Sequence, residues 1–559
     1  MKVLNLTIAV GCWMLAAPLV RAQTPVALEV GKPMKAELAG GQTHRYSLTA
    51  QAGQFMRVNV QLPGFTTAIS LLGPDGTTSL LAMNWPATFL NTVSWIAKTP
   101  GTYRLEIAPA IPTAPLSKYE IRLAELREAL PGDSQLVEAQ TLIEEARALN
   151  GRREFAKAII ILERIGATSR EAKDLILLAR ILGNLAQAYR GMDNHQEALK
   201  YFEQALAIRR DIGDRAGQAL TLIDAASTQR RLGDNRQAIN YFEQAAATRR
   251  EIGDRLGEAG ALMNMADILE GMKEYEKAIA SVERALAIFR EIKNPMEEAD
   301  SLLRLAIDFE KMSKHEQADG YFEQALGIYR GLNDKAKESN AFLRMGMAHY
   351  MQALSLSLSP GQQSTPALEA SVFRNIGKDN PGVRKAITFF ERSLALDREI
   401  GNKRGAILRL EIISSSYIAL GDPQKAVGYR EQSLPLYRDL KDKPGEAKAL
   451  SIIAGVVVLL QSTKAMSYFE MALPLYMELK DRKGEADTIS MIGNLQMMNG
   501  QHEQGAATVE KALSIYRELK NPVGEVGAVQ SLARMFGSIG QHGKTISYLE
   551  QALVIAPSS

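Results

Sequence analysis

A six-residue motif returns at a nearly constant interval of 40 residues through most of the chain. It begins as YFEQAL at Tyr201 and recurs with substitutions. The copies start at Tyr201, Tyr241, Ser281, Tyr321, Phe389, Tyr429, Tyr468, Thr508 and Tyr548. One step of 68 residues marks an insertion, one of 39 marks a shortened turn, and a degenerate earlier unit ends at Glu163. A period of this length is typical of chains built from stacked supersecondary units.

Small side chains occupy fixed positions within each unit. The first helix carries one in the register of Ala186, and the second carries two, in the registers of Ala198 and Ala205. This spacing lets two antiparallel helices pack closely while larger residues such as Leu185 and Phe202 fill the space around the contact. The pattern therefore predicts a mainly α fold, with about ten helix-turn-helix repeats stacked into a solenoid.

These positions resemble the tetratricopeptide repeat (TPR) over about 420 residues. The long unit, with Gly-Asp-x-x-Gly-[Glu/Gln]-Ala at 213–219 and 253–259, is similar to the repeats of kinesin light chains and of G-protein-signalling modulators. The resemblance implies a right-handed TPR α-solenoid at 134–555 that acts as a peptide-binding scaffold. Similar arrays in bacterial envelope proteins often precede a caspase-like CHAT peptidase domain, and we expect this chain to lack that domain.

The region before the repeats has a period of two. Its alternating segments are 44–50, 54–60, 68–76, 91–97, 101–107 and 118–124, and Pro74-Asp75-Gly76 and Pro100-Gly101 are turn sequences. Short alternating segments at this spacing predict a small antiparallel β-sandwich, which we place at 23–125. A linker is expected at 126–133, before the first helix.

The β region resembles the bacterial pre-peptidase C-terminal domain. The resemblance rests on Tyr46-x-Leu48, Ala52-Gly53-Gln54, Leu72-x-Pro74-Asp75-Gly76, Gly101-x-Tyr103-x-Leu105 and Tyr119-x-Ile121. It implies an accessory or surface-binding role without catalysis. Trp85 and Trp95 could form a carbohydrate platform, but tryptophans are commoner in a sandwich core, and we favour the core interpretation.

The N-terminus has the features of a secretory signal peptide at 1–22. Lys2 precedes an apolar run that ends in Val20-Arg21-Ala22, so we expect cleavage near Ala22 and a secreted or periplasmic protein. A retained membrane anchor and lipidation at Cys12 are the alternatives. No later segment is apolar enough to span a bilayer, so we expect no membrane span in the mature chain. Cys12 is the only cysteine, which excludes an internal disulfide.

Charge and motifs argue against catalysis and nucleic-acid binding. Lys plus Arg total 66 and Asp plus Glu 63, so no basic field is available for nucleic acid. The turn histidines occur once per repeat, at His195, His315, His502 and His542, which does not suit a metal site. The Gly537–Thr545 segment resembles a phosphate loop only superficially, and no Gly-x-Ser-x-Gly elbow is present. We predict a protein that is not an enzyme, with no catalytic, cofactor-binding or metal-binding residue.

The remaining candidate site is the concave face of the solenoid. The register two residues before Ala186 points into that face and reads Asn184, Asp224, Asn264, Arg304 and Arg344. Such side chains can hold an extended peptide by its backbone, and neighbouring arginines can bind a carboxylate. The alternative is that they are solvated groove residues without a ligand.

One pair in this register resembles part of a known peptide-binding arrangement. Asn264 followed by Arg304 is similar to part of the carboxylate clamp of chaperone-binding TPR proteins. The position of the lysine of that clamp, however, is Asp300 here. This difference puts capture of a C-terminal carboxylate in doubt.

Two further segments lead to expectations. The insertion at about 351–380 is rich in Ser, Gln and Pro, and we favour a flexible loop over a partner-binding element. The last motif, at Tyr548, looks like an internal repeat without a polar cap, followed by a tail at 556–559. We therefore expect self-association, a partner or a further domain to cover that end.

Together these observations predict a secreted or periplasmic, non-catalytic scaffold. It would bind a protein or peptide partner through the concave face of the TPR superhelix. One alternative is a regulatory or sensing component of a proteolytic system with a CHAT-like peptidase. The other is an envelope or glycan-binding accessory protein that acts through the β domain.

Overall fold

A computed structural model describes residues 24–61, 66–85, 90–110, 114, 116–357, 380–460 and 464–555. The chain forms two compact units, Met1–Lys293 and Asn294–Ser559. The predicted signal peptide, most of the predicted insertion and the predicted tail lie outside the described residues. Within those residues, no helix combines the length and apolarity that crossing a membrane requires.

The first unit begins with a two-sheet β domain. Its described strands are β1 (Val26–Ala27), β2 (Pro33–Leu38), β3 (His44–Ala50), β4 (Gln54–Gln61), β5 (Thr67–Leu72), β6 (Ser79–Trp85), β7 (Leu90–Ile96), β8 (Gly101–Pro109) and β9 (Ser117–Glu128). The strand orders are β1-β3-β8-β5-β6 and β2-β9-β4-β7. All named pairs are antiparallel except β1 with β3. The predicted β-sandwich is confirmed.

Alternate residues of the strands form the core of the β domain. Met56, Val58 and Leu105 are fully buried, as the period of two predicts. Trp95 is 6% exposed, and its ring centroid lies 6.1 Å from that of Tyr103. The core interpretation is therefore confirmed for Trp95, whereas the side chain of Trp85 lies outside the description.

The Pro74-Asp75-Gly76 turn forms as predicted. Asp75 Oδ1 accepts hydrogen bonds from the backbone N–H groups of Thr77 and Thr78 at 3.0 and 2.9 Å. These bonds, together with one from the Thr78 hydroxyl, lower the pKa of Asp75 to about 2. Gly76 adopts a φ of +72°, which side chains other than glycine disfavour.

Ten pairs of helices follow in the described residues. Unit 1 contains α1 (Asp133–Gly151), α2 (Phe155–Glu171), α3 (Leu175–Gly191), α4 (His195–Asp211), α5 (Arg215–Leu232), α6 (Asn235–Glu251), α7 (Arg255–Gly271) and α8 (Tyr275–Glu291). Unit 2 contains α9 (Pro295–Lys311), α10 (His315–Gly331), α11 (Lys335–Ser357), α12 (Pro381–Glu399), α13 (Lys403–Ala419), α14 (Pro423–Glu431), α15 (Leu434–Asp439), α16 (Lys443–Leu459), α17 (Ala465–Leu479), α18 (Arg482–Met498), α19 (His502–Glu518), α20 (Pro522–Ser538) and α21 (His542–Ile555). The prediction of about ten helical repeats is confirmed.

The small residues of the repeat lie where the two helices of a pair touch. Ala186, Ala198 and Ala205 are each fully buried. In unit 2 the first of these registers contains Gly346, where an added Cβ would lie 2.5 Å from Phe390 Cε1. Helices this close cannot accommodate a larger side chain, which explains the size constraint seen in the sequence.

The Tyr and Glu of the YFEQAL motif join consecutive repeats. The Tyr241 hydroxyl donates to Glu203 Oε1 at 3.0 Å, so the tyrosine of one motif reaches the glutamate of the motif before it. The same contact recurs in unit 2 between Tyr548 and Glu510, also at 3.0 Å. The motif therefore encodes stacking between repeats as well as packing within each one.

The Gly-Asp-x-x-Gly sequence begins the first helix of a pair. Asp214 Oδ1 accepts from Gly217 N–H at 2.9 Å, and Asp254 caps the next first helix in the same way at Gly257. A Cβ at Gly257 would lie 2.1 Å from Arg249 Nη1. The aspartate thus satisfies an unpaired helical N–H, and the glycine leaves room for an arginine of the preceding helix.

Three boundaries differ from the sequence predictions. The linker expected at 126–133 is wrong at both ends, because β9 pairs with β4 as far as Glu128 and α1 begins at Asp133. The loop expected from 351 begins late, because α11 continues to Ser357. One second helix is divided into α14 and α15, because Pro435 has no N–H and its ring conflicts with the carbonyl of Glu431.

The β domain is bonded to the first helices of unit 1. Gln140 of α1 makes two hydrogen bonds to the backbone of Ser94 in β7. The Arg127 guanidinium binds both carboxylate oxygens of Asp133, at 2.6 and 3.1 Å. Arg57 Nη2 of β4 lies 3.1 Å from Asp174 Oδ2, at the start of α3. The two parts of this unit therefore meet through specific polar contacts rather than through a free linker.

Candidate functional site

A groove of about 840 Å³ crosses the first helices of the first three repeats, α1, α3 and α5. Its lining is rich in arginine, contributed by Arg147, Arg153, Arg180, Arg190, Arg209 and Arg231. Two aspartates, Asp193 and Asp224, also line it. Short connections between antiparallel helices bring every second helix to the same face of the array, which is why these side chains converge.

The floor of the groove at α1 and α3 has fewer acidic than basic groups. Arg180 Nη2 lies 3.0 Å from Glu144 Oε1, and Arg147 Nη1 lies 3.1 Å from Glu144 Oε2. One carboxylate therefore serves two guanidinium groups. Arg180 is 9% exposed, and burial lowers its pKa although Glu144 acts in the opposite direction.

Arg209 lies beneath the groove. Its side chain is 4% exposed, and Nη1 lies 3.8 Å from Asp214 Oδ2. Burial lowers the pKa of Arg209 to about 10. A Cβ added at Gly183 of α3 would lie 3.6 Å from Arg209 Nη2, which places this guanidinium next to α3.

The structure places two of the five predicted site residues in this groove. Asn184 lines it on α3, with its Nδ2 donating to the Arg180 carbonyl at 2.9 Å. Asp224 lines it on α5 and accepts from Arg190 Nη1 at 2.7 Å. Asn264, the third predicted residue, is exposed on α7 and bonds the Gly260 carbonyl of its own helix. The role predicted for these three residues stays a prediction.

Unit 2 contains the two predicted arginines. Arg304 Nε lies 3.4 Å from Asp308 Oδ2, a fully buried carboxylate, so this guanidinium acts as a counter-ion within its own helix. Arg344 is exposed and, after burial, is the second cause of the lowered pKa of Lys311. Asp300, the position that departs from the carboxylate clamp, accepts from the Tyr329 hydroxyl at 2.6 Å and from Lys337. Asp300 is negatively charged and already bonded, so it cannot bind a ligand carboxylate as a lysine would at this position.

The arginines of the groove were missed by the sequence analysis. The predicted site is a single register of the first helices, the one that contains Asn184 and Asp224. Arg180 and Arg190 lie elsewhere on α3, and Arg209 belongs to α4, a second helix. A search for basic residues over all registers of the first three repeats would have found Arg147, Arg180 and Arg190.

A buried tyrosine pair forms a second polar cluster, in the β domain. The Tyr46 and Tyr119 hydroxyls bond each other, and His44 Nδ1 lies 2.6 Å from the Tyr119 hydroxyl. Burial raises the pKa of both tyrosines and lowers that of His44. All three groups are therefore held neutral near pH 7, which favours a structural role in the β domain.

Metal-binding chemistry has no assembled ligand set in the part of the chain that the structure describes. No group of three or more His, Cys, Asp or Glu residues is arranged there to hold an ion. The turn histidines His195, His315, His502 and His542 each begin the second helix of a pair.

Comparison with known proteins identifies the repeat. The family model for the tetratricopeptide repeat matches residues 177–251 and 257–331. The TPR prediction is confirmed for those segments. The pre-peptidase resemblance of the β domain and the link to CHAT proteins stay predictions. Among curated proteins, none matches this sequence.

Solved structures with similar helical arrays include three examples. BtubC (BKLC) from P. vanneervenii has 19% identity and a TM-score of 0.31, covering 37% of this chain and 93% of its own. A putative kinesin light chain with nearly identical TPR-like repeats from Podosopora anserina has 18% identity and a TM-score of 0.31. The match covers 35% of this chain and 96% of that chain. Aspartyl phosphate phosphatase F from Bacillus subtilis has 12% identity and a TM-score of 0.36. The match covers 76% of this chain and 94% of that chain.

Proposed function

We propose that this protein is a non-catalytic scaffold that binds a protein or peptide through the groove across α1, α3 and α5. The observation that carries the proposal is the groove itself, an open polar channel along three successive first helices. Part of it lies in the segment that the TPR family model matches. A rigid groove of this kind suits an extended polypeptide, whose backbone and side chains can be contacted repeat by repeat.

We place the scaffold in the periplasm or outside the cell. The support for this setting is the sequence of residues 1–22, which has the charge, apolar run and small-residue end of a signal peptide. The β domain would then accompany the repeats as an accessory domain. Its contacts with α1 and α3 support a role as an N-terminal cap, because they cover the first repeat of the array.

The two alternative functions stay predictions. A regulatory role beside a CHAT-like peptidase rests on the resemblance of the array alone. Glycan binding by the β domain is weakened at one of its two candidate residues, because Trp95 is buried in the core and cannot present a face to a sugar.

Site-specific photocrosslinking tests the proposal most simply. A photoreactive amino acid replaces Gln187, an exposed residue that lines the groove, in the chain from Gln23 to Ser559. The matched control carries it at Arg164, an exposed residue of α2 outside the lining. We expect one polypeptide of an envelope extract to be captured at Gln187 and not at Arg164. Capture at neither position, or equally at both, would count against the scaffold.

A further inference from the structure

We propose that the segment held in this groove is acidic, with Asp or Glu side chains that pair with the arginines of α1, α3 and α5. This inference rests on the proposed function and adds the chemistry of the partner. It concerns side-chain carboxylates along an extended segment, and it uses residues outside the register that the sequence analysis selected.

The lining of the groove contains more arginines than carboxylates. Arg147 and Arg180 share Glu144, and Arg190 is paired with Asp224. Within the residues described, Arg153 and Arg231 form no ion pair, and both are exposed. The lining therefore has an excess of positive charge, and part of that excess is free to meet a ligand.

The basic groups of the lining are arginines, whose geometry suits carboxylates. A guanidinium offers a planar fork of N–H donors that fits the two oxygens of a carboxylate. Arg153 and Arg231 are exposed and can offer this fork to a ligand. A neutral or basic segment would leave both guanidinium groups without a carboxylate partner.

The arrangement of amides between the arginines favours a polypeptide. Asn184 and Gln187 line the groove between the basic groups and can bond the backbone of an extended chain. Packed helices lie about 10 Å apart, so three first helices span roughly six residues of extended polypeptide at about 3.3 Å each. The segment should therefore be short.

A nucleic acid fits the lining less well. Binding of single strands depends on exposed aromatic rings on which bases stack. The aromatic side chains of the lining are Phe155, which packs against Gly191, and Phe202, which is 1% exposed. Phe202 therefore offers no face to a base, and the partly buried ring of Phe155 is the one aromatic group of the lining that is left for stacking.

Fluorescence anisotropy with a defined peptide tests the inference. The probe is a fluorescein-labelled peptide of alternating Glu and Ser, about eight residues long, compared with the same peptide carrying Gln for Glu. The Arg153→Gln/Arg231→Gln variant removes the two unpaired charges, so its fold should be preserved. The Arg164→Gln/Arg170→Gln variant, on α2 outside the lining, has the same change of net charge. Circular dichroism checks that both variants fold.

We expect the Glu peptide to bind the unaltered chain at least about tenfold more tightly than the Gln peptide. Binding should weaken about tenfold in Arg153→Gln/Arg231→Gln, and stay unchanged in Arg164→Gln/Arg170→Gln. Equal binding of both peptides, or equal weakening in both variants, would overturn the inference. Tighter binding of a labelled oligonucleotide with the same charge would also overturn it and indicate a nucleic acid.

The crosslinking experiment separates this inference from the proposed function. If Gln187 captures a polypeptide while the Glu peptide does not bind, the scaffold stands and the acidic partner is wrong. If Gln187 captures nothing and the Glu peptide does not bind, both proposals fail.

Discussion

The side-chain amide of Gln140 bonds the backbone of Ser94 as a neighbouring strand would. Gln140 Oε1 accepts from Ser94 N–H at 3.0 Å, and Nε2 donates to the Ser94 carbonyl at 3.2 Å. Both residues are 4% exposed. Ser94 lies in β7, an outer strand of the sheet β2-β9-β4-β7. Helix α1 therefore covers an edge that would otherwise be open to pairing with another chain, and it fixes the β domain to the repeats.

Replacing Gln140 by Met should loosen this junction. The apolar side chain has a similar shape but leaves the N–H and carbonyl of Ser94 buried without partners, at a cost of about 1–3 kcal/mol. We expect urea unfolding followed by tryptophan fluorescence to occur at a lower midpoint, since Trp95 belongs to the same strand. Gln135→Met, at an exposed position of the same helix, is the control. Equal midpoints for the two variants would show that the amide does not hold the junction.

Two glycines of α7 should respond oppositely to alanine. A Cβ at Gly257 would collide with Arg249 and Asp254, so Gly257→Ala should lower the free energy of unfolding by about 1–3 kcal/mol. At Gly260 an added Cβ has no neighbour within 4 Å, so Gly260→Ala should raise it by up to about 1 kcal/mol through helix propensity. Urea unfolding followed by circular dichroism measures both. An unchanged free energy of unfolding in Gly257→Ala would contradict close packing of Arg249 and Asp254 against Gly257.

Acidification should destabilise unit 2 through His349. The ring stacks on Phe389 with centroids 5.4 Å apart, and burial lowers its pKa below the ordinary 6.5, despite Asp319 Oδ1 2.9 Å from Nε2. The folded chain therefore disfavours the protonated imidazole more than the unfolded chain does. The neutral ring is compatible with full stability above about pH 6.5, and stability falls as the pH drops below that value. Lys385, whose charge also lowers this pKa, opposes protonation further.

The melting temperature of His349→Phe tests this pH dependence. The variant keeps an aromatic ring against Phe389 and removes the titration. Between about pH 7.5 and pH 5.5 the unaltered chain should lose up to about 2 °C more than the variant. In the control His542→Phe, at an exposed histidine, the melting temperature should fall with pH as much as in the unaltered chain. If the melting temperatures of the unaltered chain and of His349→Phe fall equally with pH, His349 is not the source of this pH dependence.

The last described helix should associate with a second copy. Ile546, Leu549 and Leu553 of α21 are 56%, 47% and 78% exposed, and they lie on one helical face. Burial of such a face is favourable, so we expect association that rises with protein concentration in sedimentation velocity. Leu549→Gln/Leu553→Gln should weaken it, while Leu256→Gln, at an exposed leucine of α7, should not. A strictly monomeric chain at high concentration would contradict this expectation.

The repeat could be predicted in detail because its constraints are local and recur. Each small residue, such as Ala186, occupies a position that the next unit repeats, and the Asp214–Gly217 cap involves residues only three apart. Six strands of the β domain, β3, β4, β5, β7, β8 and β9, were also predictable, because alternating apolar residues indicate that one face of a strand is buried. The other three described strands were not among the predicted segments. The helical repeats and the antiparallel β region, which were predicted from such features, were confirmed.

The junction and the groove could not be predicted because their partners are distant in sequence. Gln140 looks like an ordinary polar residue of an amphipathic helix, and its partner is a backbone segment 46 residues earlier. The length of β9 likewise depends on pairing with β4. In the groove, Arg209 reaches the lining from a second helix, so no single register of the first helices includes it.

Hydrogen–deuterium exchange of the full chain, with and without the polypeptide captured at Gln187, shows where that polypeptide binds. We expect slower exchange in the groove-lining parts of α1, α3 and α5, and no change around Arg164 of α2, which is not a lining residue. Protection confined to the β domain or to α21 would contradict this expectation and move the binding site away from the groove.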